Sequence, residues 1–134
     1  MSSFADQLRI FEAKTIDKMS RVARKITLDA FSGCIMMSPV DTGRFRGNWQ
    51  TAVGQEPSGT VDLLDPSGNV VIAKVSGAVA GMQIGDVVYM VNNLPYAQPL
   101  EDGSSSQAPN GMVKLTVQRF QPIAQEAIRL IGAE

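Results

Sequence analysis

The sequence predicts an α+β protein in which a long N-terminal helix and two further helices pack on a small antiparallel or mixed sheet. Apolar residues recur every three or four positions from Phe4 to Met37. Strand-like patterns follow near 44–53 and 86–92, and a last helical pattern runs from near 110 to 132. The 134 residues suit one domain, 1–134, with a core of its own.

The first helix is informative because of its length. Ser3 fits the N-cap position, and a helix from Phe4 to Met37 would span about 50 Å. A compact domain of this size is only about 35 Å across. Unless it bends at Gly33, the helix would overhang its own domain, and we expect its exposed end to contact another chain.

The helical pattern stops at a corner, residues 38–49, that begins with a turn. Pro39 cannot donate a backbone hydrogen bond and disfavours helical angles at the preceding residue. The side chains of Asp41 and Thr42 can bond nearby backbone, and Gly43 permits positive φ. We predict a structural turn that fixes the angle between helix and sheet. Its residues are Ser38, Pro39, Asp41, Thr42 and Gly43.

Two strands are predicted beyond the turn. Phe45, Gly47 and Trp49 alternate with polar residues, which is the period of a half-buried strand over 44–53. The segment 86–92 is β-branched and aromatic, and 60–64 could add a short third strand. We predict that aromatic residues on facing strands anchor the core. These are Phe45, Trp49 and Tyr89.

The segment 69–82 is ambiguous. Its β-branched residues favour a strand. The spacing of Val71, Val75 and Val79 favours a helix, as does an Asp65-Pro66 start with Asp65 as N-cap. We expect a helix near 66–81.

Two helical features are predicted in the last third of the chain. Pro95 to Leu100 can form a short helical turn. In the C-terminal helix, Pro122 should produce a kink, because it cannot bond the carbonyl of Gln118.

Composition excludes several site chemistries. The chain has no His and one Cys, so a Ser-His-Asp triad, a Cys-His nucleophile, a His-ligated metal and structural zinc lack their residues. We expect no cofactor and no metal. A lone Cys34, which we expect to be buried, suits a reducing compartment. We see neither a secretory signal nor an apolar run long enough for a membrane span.

The tripeptide Asp41-Thr42-Gly43 matches the catalytic sequence of aspartic proteases, in which a homodimer can supply two Asp residues that share a proton. The surroundings disagree with that family, since Pro39 precedes, Arg44 follows and a long helix comes before. A structural turn is the favoured interpretation. A homodimeric aspartic protease remains an alternative.

Two exposed features are candidate contact sites. A basic stripe on the first helix is favoured as a solvated face, then as a contact with an acidic partner subunit, and last as a DNA contact that would make the chain a nucleic-acid-binding accessory protein. A Gly/Ser-rich loop is either a mobile connector or a segment that orders when a neighbouring subunit docks. The stripe is Lys14, Lys18, Arg21 and Lys25, and the loop is Glu101, Asp102, Gly103, Ser104, Ser105, Ser106 and Gln107.

Several motif blocks, taken together, resemble the neck and tail-completion (head–tail joining) proteins of long-tailed bacteriophages and prophages. The resemblance covers roughly residues 38–121 and departs at Ser106, where relatives often carry Lys. The blocks are Ser38-Pro39-Val40-Asp41-Thr42-Gly43 with Gly47-Asn48-Trp49, Asp65-Pro66-Ser67-Gly68, Asn92-Asn93-Leu94-Pro95-Tyr96-Ala97, Leu100-Glu101-Asp102-Gly103 and Gln107-Ala108-Pro109-Asn110-Gly111-Met112-Val113.

The resemblance implies a non-enzymatic virion protein of the neck or upper tail, present in the host cytoplasm during assembly. It implies a ring of six copies that joins a DNA-filled head to the tail, with a lumen for DNA and no sequence-specific binding. Its partners would be a head-side connector or stopper and a tail terminator or tail tube protein, without a membrane. The loop 101–111 and the turn 54–59 would touch these partners, and the basic stripe would face a neighbouring subunit or DNA.

Overall fold

The structure is a computed structural model that describes residues 3–134. Six helices and one two-stranded antiparallel sheet are formed within that range, which confirms the α+β class with a long N-terminal helix. In chain order the elements are α1 (Phe4–Met37), α2 (Arg44–Gly47), β1 (Trp49–Val53), α3 (Asn69–Val79), β2 (Val88–Asn92), α4 (Ala97–Glu101), α5 (Val113–Gln118) and α6 (Phe120–Gly132).

Helix α1 is continuous and capped as predicted. The Ser3 hydroxyl accepts from the Asp6 backbone N–H at 3.1 Å, and the Asp6 carboxylate accepts in return from the Ser3 N–H at 3.3 Å. The helix passes Gly33 without interruption and ends at Ser38, whose backbone is extended ahead of Pro39.

The N-terminal part of α1 extends beyond the rest of the fold. Helix α6 packs along α1, and Glu134, just beyond the end of α6, reaches Lys18 and Arg21. Residues 4–17, which precede this contact and which we call the overhang, are all exposed except the half-buried Asp6. The overhang that the helix length predicts is therefore present.

The sheet is smaller than predicted, with β1 and β2 paired from Trp49–Asn92 to Val53–Val88. The predicted strand start at 44 is wrong, because Gly43 adopts φ 90° and opens the helical turn α2. Phe45 in this turn and Trp49 at the start of β1 are four residues apart and both are buried in the core, which imitates strand alternation.

The predicted strand at 60–64 is also wrong. No strand lies between β1 and β2 in the described chain, and Val61 instead donates its backbone N–H to the Asn48 side chain at 2.8 Å.

Helix α3 confirms the helical interpretation of the ambiguous segment, and Val71, Val75 and Val79 are all buried. It begins at Asn69, three residues later than predicted, so Asp65 is not the N-cap. Residues 65–68 form a turn closed by the Gly68 N–H on the Asp65 carbonyl, and Gly68 takes the N-cap position. The Asp65 carboxylate still accepts from a backbone N–H of the first turn, that of Val71, at 2.9 Å.

The C-terminal helical segment is broken rather than kinked. Arg119, three residues before Pro122, separates α5 from α6 and has ψ 0°. Helix α5 begins at Val113 instead of near 110, because residues 108–111 form a turn. The short α4 begins at Ala97, close to the predicted helical turn at 95–100.

The core lies between the C-terminal half of α1, α3 and one face of the sheet. Tyr89 does not belong to it as predicted. Tyr89 is half-buried and pairs with Ala52. Its neighbours Val88 and Met90 lie on the opposite face of β2 and pack against the core. Fully or nearly fully buried apolar side chains include Cys34, Ile35, Phe45, Trp49, Val71, Val75, Val79, Met82, Leu94, Ala108 and Met112.

Candidate assembly site

Ser38 is the central polar residue of the corner. It is buried, and its hydroxyl donates to the Cys34 carbonyl at 2.9 Å, which closes the end of α1. The same oxygen accepts from Trp49 Nε1 at 2.9 Å. The Trp49 ring also meets Phe45 edge to face, with centroids 5.7 Å apart. The end of the long helix is thus fixed to the start of the sheet.

Arg46 joins this helix end to the turn at 65–68. Its guanidinium donates to the carbonyls of Met36 (2.9 Å), Ser38 (3.1 Å) and Pro66 (2.8 Å). Two of these carbonyls lie at the C-terminus of α1, where intrahelical partners run out. The planar fork of an arginine suits three acceptors in one plane, which lysine could not match.

Gly43 is where the backbones approach most closely. Its carbonyl accepts from Asp65 N–H at 3.0 Å, and a Cβ at this position would lie 2.4 Å from Pro66 N. Thr42 supports the turn, since its hydroxyl accepts from the Arg44 N–H. The Asp41 side chain is exposed and makes no hydrogen bond within residues 3–134, so Asp41 does not hold the turn as expected.

Two amide side chains, the buried Asn48 and the half-buried Asn92, extend the same network. Asn48 is fully buried and donates to the Arg44 carbonyl at 2.8 Å while accepting from Val61 N–H. Asn92, opposite Trp49 in the sheet, donates to the Phe45 carbonyl at 2.9 Å. The sequence placed both residues in motif blocks that resemble head–tail joining proteins, but it gave neither of them a structural role.

The 101–107 loop is tied to the corner by Gln107. Its side-chain amide accepts from Val40 N–H at 2.9 Å and donates to the Val40 carbonyl at 3.0 Å, as a paired strand would. Gly103, at φ 96°, lies against the Pro109 carbonyl. The loop is therefore anchored on its own chain at Gln107 and exposed at Asp102, Ser104 and Ser106, with Ser105 half-buried.

Glu101 caps α5 from outside the helix. Its carboxylate accepts from the backbone N–H groups of Met112, Val113 and Lys114 at 2.9–3.0 Å. Partial burial alone would raise the pKa of Glu101, but these three donors outweigh it and hold the pKa below the ordinary value of 4.5. The carboxylate thus has a structural partner and is not free to act as a cation ligand.

Replacing Glu101 with glutamine is expected to lower the free energy of unfolding at pH 7 by about 1 kcal/mol, as loss of a charged cap does. Because the folded-state pKa is lowered, the stabilisation is complete above pH 4.5 and is lost as the pH falls through the folded value. Urea unfolding at pH 7 and pH 3 should therefore show the difference between wild type and E101Q shrinking with acidity. The exposed control Glu56→Gln should shift by no more than about 0.5 kcal/mol at pH 7. A difference independent of pH would contradict the capping role.

The corner is thus joined to the other blocks that carry the phage resemblance. Residues 38–49 bond to 65–68 through Gly43 and Arg46, to 92 through Phe45, and to 107 through Val40. Glu101 connects 100–103 with 107–113. We call this hydrogen-bonded set the corner cluster, and the sequence alone did not show that its blocks meet.

The basic stripe is occupied in large part by contacts within the chain. Arg21 pairs with Asp17 and Glu134, and Lys25 pairs with Asp29 at 2.9 Å. Lys18 donates to the Glu134 carbonyl, while Lys14 borders the same surface. Three of the four cations therefore help to hold α6 or α1 itself.

The overhang carries an apolar stripe. Phe4, Leu8 and Phe11 follow one another at four and three residues, so they share one face of α1. They are 75%, 51% and 69% exposed. Two aromatic rings and a leucine are aligned on a stretch of helix that no other part of residues 3–134 covers, which is an unusual surface for a monomer.

The same chain has an apolar trough beside α1, along the stretch from Thr15 to Cys34. It consists of two hollows of about 420 and 540 Å³ that meet at Ile26. The first lies between α1, Ile84 and Ile128 of α6, and the second reaches Trp49 and Phe120. The buried Ser20 fixes the Ile84 wall to α1, because its hydroxyl accepts from the Ile84 N–H at 3.0 Å.

Cys34 lies at the floor of the second hollow and is only 2% exposed. Burial raises the pKa of the Cys34 thiol to about 12, so the nucleophilic thiolate is scarce at neutral pH. Within residues 3–134 no cluster of three or more Asp, Glu, Cys or His side chains could hold a metal ion. No helix in that range has the length and hydropathy to cross a bilayer.

No protein-family model matches the chain, and searches of curated proteins and of solved structures give no significant match.

Proposed function

We propose that this chain is a non-enzymatic structural protein of the neck or upper tail of a long-tailed bacteriophage. Copies of it would form a ring that joins the DNA-filled head to the tail and leaves a lumen for DNA. The motif blocks around residues 38–113 support this proposal by their resemblance to head–tail joining proteins.

The observation that carries the proposal is the corner cluster at the C-terminal end of α1, the end opposite the overhang. Five blocks distant in sequence meet there through Ser38, Arg46, Gln107 and their partners, and they set the direction of α1 relative to the sheet. A ring component needs residues that fix the direction of α1, because its contacts depend on the angle at which this helix meets the neighbouring subunits.

The overhang supports the same conclusion. Its exposed Phe4 and Phe11 contribute nothing to the core of their own chain. Apolar patches of this kind mark surfaces that another protein covers. A ring of six copies, stacked between a head-side connector or stopper and a tail terminator or tube protein, would supply such cover.

The charge distribution favours protein neighbours over DNA for the basic stripe. Arg21 and Lys25 already have carboxylate partners, and the net charge of the chain is −1. A lumen that passes DNA without binding it tightly is compatible with that balance.

The test is genetic. In a phage that encodes this chain, deleting its gene should leave DNA-filled heads and complete tails unjoined, as counted by electron microscopy. Both the wild-type protein and the Asp41→Ala variant, supplied from a plasmid, should restore joining. The Asp41 side chain is exposed and makes no hydrogen bond within residues 3–134, so its removal should leave the fold intact. Normal particles from the deletion would overturn the proposal. A folded Asp41→Ala protein that fails to restore joining would favour the protease alternative.

A further inference from the structure

We propose that the overhang of one copy docks in the apolar trough of a second copy, so that the copies join head to tail. The overhang is residues 4–17 of α1, and the trough is the pair of hollows beside Ile26. The docking itself is inferred from the geometry of the chain. The closure of such contacts into a ring rests on the proposed function.

The two surfaces have the features of a helix-in-groove pair. Phe4, Leu8 and Phe11 stand at positions i, i+4 and i+7, the anchor spacing by which amphipathic helices bind apolar grooves. The first hollow of the trough, about 420 Å³, is lined by Val22, Ile26 and other apolar side chains. Such a volume accepts large anchors of the kind that dominate binding energies in protein interfaces.

The overhang cannot fill the trough of its own chain. Both belong to the same continuous helix, because Val22 and Ile26 of α1 form one wall of the trough. Folding residues 4–11 back onto that wall would break α1, which is unbroken from Phe4 to Met37. The contact is therefore between molecules, and every copy carries both halves of it.

The exposed area exceeds that of a compact monomer by an amount comparable to a stable interface. The chain exposes 8038 Å², while a compact monomer of 14.4 kDa exposes about 6,800 Å². The excess of roughly 1,200 Å² lies in the range of a stable interface, which buries about 1,600 Å² over both partners. A second copy supplies the complementary surface at equal stoichiometry, so the partner of each overhang is another copy of this chain.

Head-to-tail docking predicts the type of assembly. The apolar stripe Phe4, Leu8 and Phe11 shares no residue with the trough, although Thr15 of the overhang borders the first hollow. Their contact is therefore heterologous and continues until the copies close. Each subunit then gives its overhang to one neighbour and receives the overhang of the other.

The experiment uses two single variants that block opposite halves of the contact. Phe11→Glu places a charge on the overhang, and Ile84→Glu places one at the trough. Both side chains are substantially exposed, so we expect both variants to fold. Sedimentation of the purified full chain at about 100 µM, where micromolar contacts are populated, reports the assembly state.

Wild-type protein should sediment as species larger than a dimer. Each variant alone should be monomeric, with self-association weakened at least about 100-fold. An equal mixture of the two should form a one-to-one heterodimer, because the intact overhang of Ile84→Glu fits the intact trough of Phe11→Glu. The matched control is Ile10→Glu, which changes an exposed apolar residue about 100° around the helix from Phe11, outside the stripe Phe4, Leu8 and Phe11, and should assemble like wild type.

Several results would overturn the docking. These are a monomeric wild type at this concentration, a wild type that stops at a dimer, a mixture that stays monomeric, or an Ile84→Glu variant that assembles normally. The last would mean that overhangs pair with each other. The deletion phenotype is scored in particles and is independent of these results, so failure of the docking and failure of the proposed function are distinguishable.

Discussion

Replacing Gly43 with alanine is expected to lower the free energy of unfolding by about 3 kcal/mol. Two costs add at this position. The residue has φ 90°, which strains any side chain, and the new Cβ would lie 2.4 Å from Pro66 N and 2.8 Å from the Asp65 carbonyl carbon. Relieving that overlap requires moving the 65–68 turn, which also holds Arg46. Urea unfolding followed by circular dichroism measures the loss.

The control for this substitution is Gly54→Ala. Gly54 has a similar φ of 85°, but a Cβ there meets nothing within 4 Å. It should cost only the strain of a left-handed residue, about 1 kcal/mol. Equal losses at the two positions would show that the close approach of Gly43 to Pro66 contributes nothing to stability.

Replacing Trp49 with alanine is expected to lower the free energy of unfolding by about 3–5 kcal/mol, the usual cost of deleting a buried aromatic. The ring packs in the core beside Phe45, and its Nε1–H bonds the buried Ser38 hydroxyl. The substitution leaves a cavity and removes the bond between the helix end and the sheet. Thermal and urea unfolding both report it.

Phe11→Ala is the matched aromatic control, measured at a protein concentration low enough to keep the chain monomeric. Because Phe11 is 69% exposed, its removal should change the free energy of unfolding by no more than about 0.5 kcal/mol. A loss comparable to that of Trp49→Ala would mean that the overhang belongs to the folded core, and would contradict its role as an assembly element.

Local patterns in the sequence were enough to predict α1 and α3. The four-residue spacing of Val71, Val75 and Val79 favoured a helix, whereas the β-branched residues of the segment favoured a strand. The segment is a helix, and all three valines are buried. The length of α1 against the size of the domain predicted the overhang. Both inferences depend on residues close in sequence, where periodicity is reliable.

The corner misled the sequence interpretation because two periods coincide there. Phe45 and Trp49 are separated by four residues, which satisfies both alternation in a strand and one turn of a helix. The left-handed Gly43 selects the helical turn, and a sequence pattern does not show that choice. Tyr89 was misplaced for a related reason, since its side of β2 depends on the register with β1.

The candidate assembly site could be predicted only in part. The exposed stripe Phe4, Leu8 and Phe11 lies within one helix and is visible in the sequence. The trough combines α1 with Ile84 and Ile128, and Gln107 meets Val40 across 67 residues. Contacts at such separations depend on tertiary packing, which no local pattern encodes.

The most direct measurement of the central claim is a reconstruction of the intact phage particle at a resolution that shows helices. The account predicts a ring of this protein between head and tail, with α1 of each subunit reaching a neighbouring subunit through residues 4–17. Joined particles whose neck and upper tail contain no ring of this chain would contradict it.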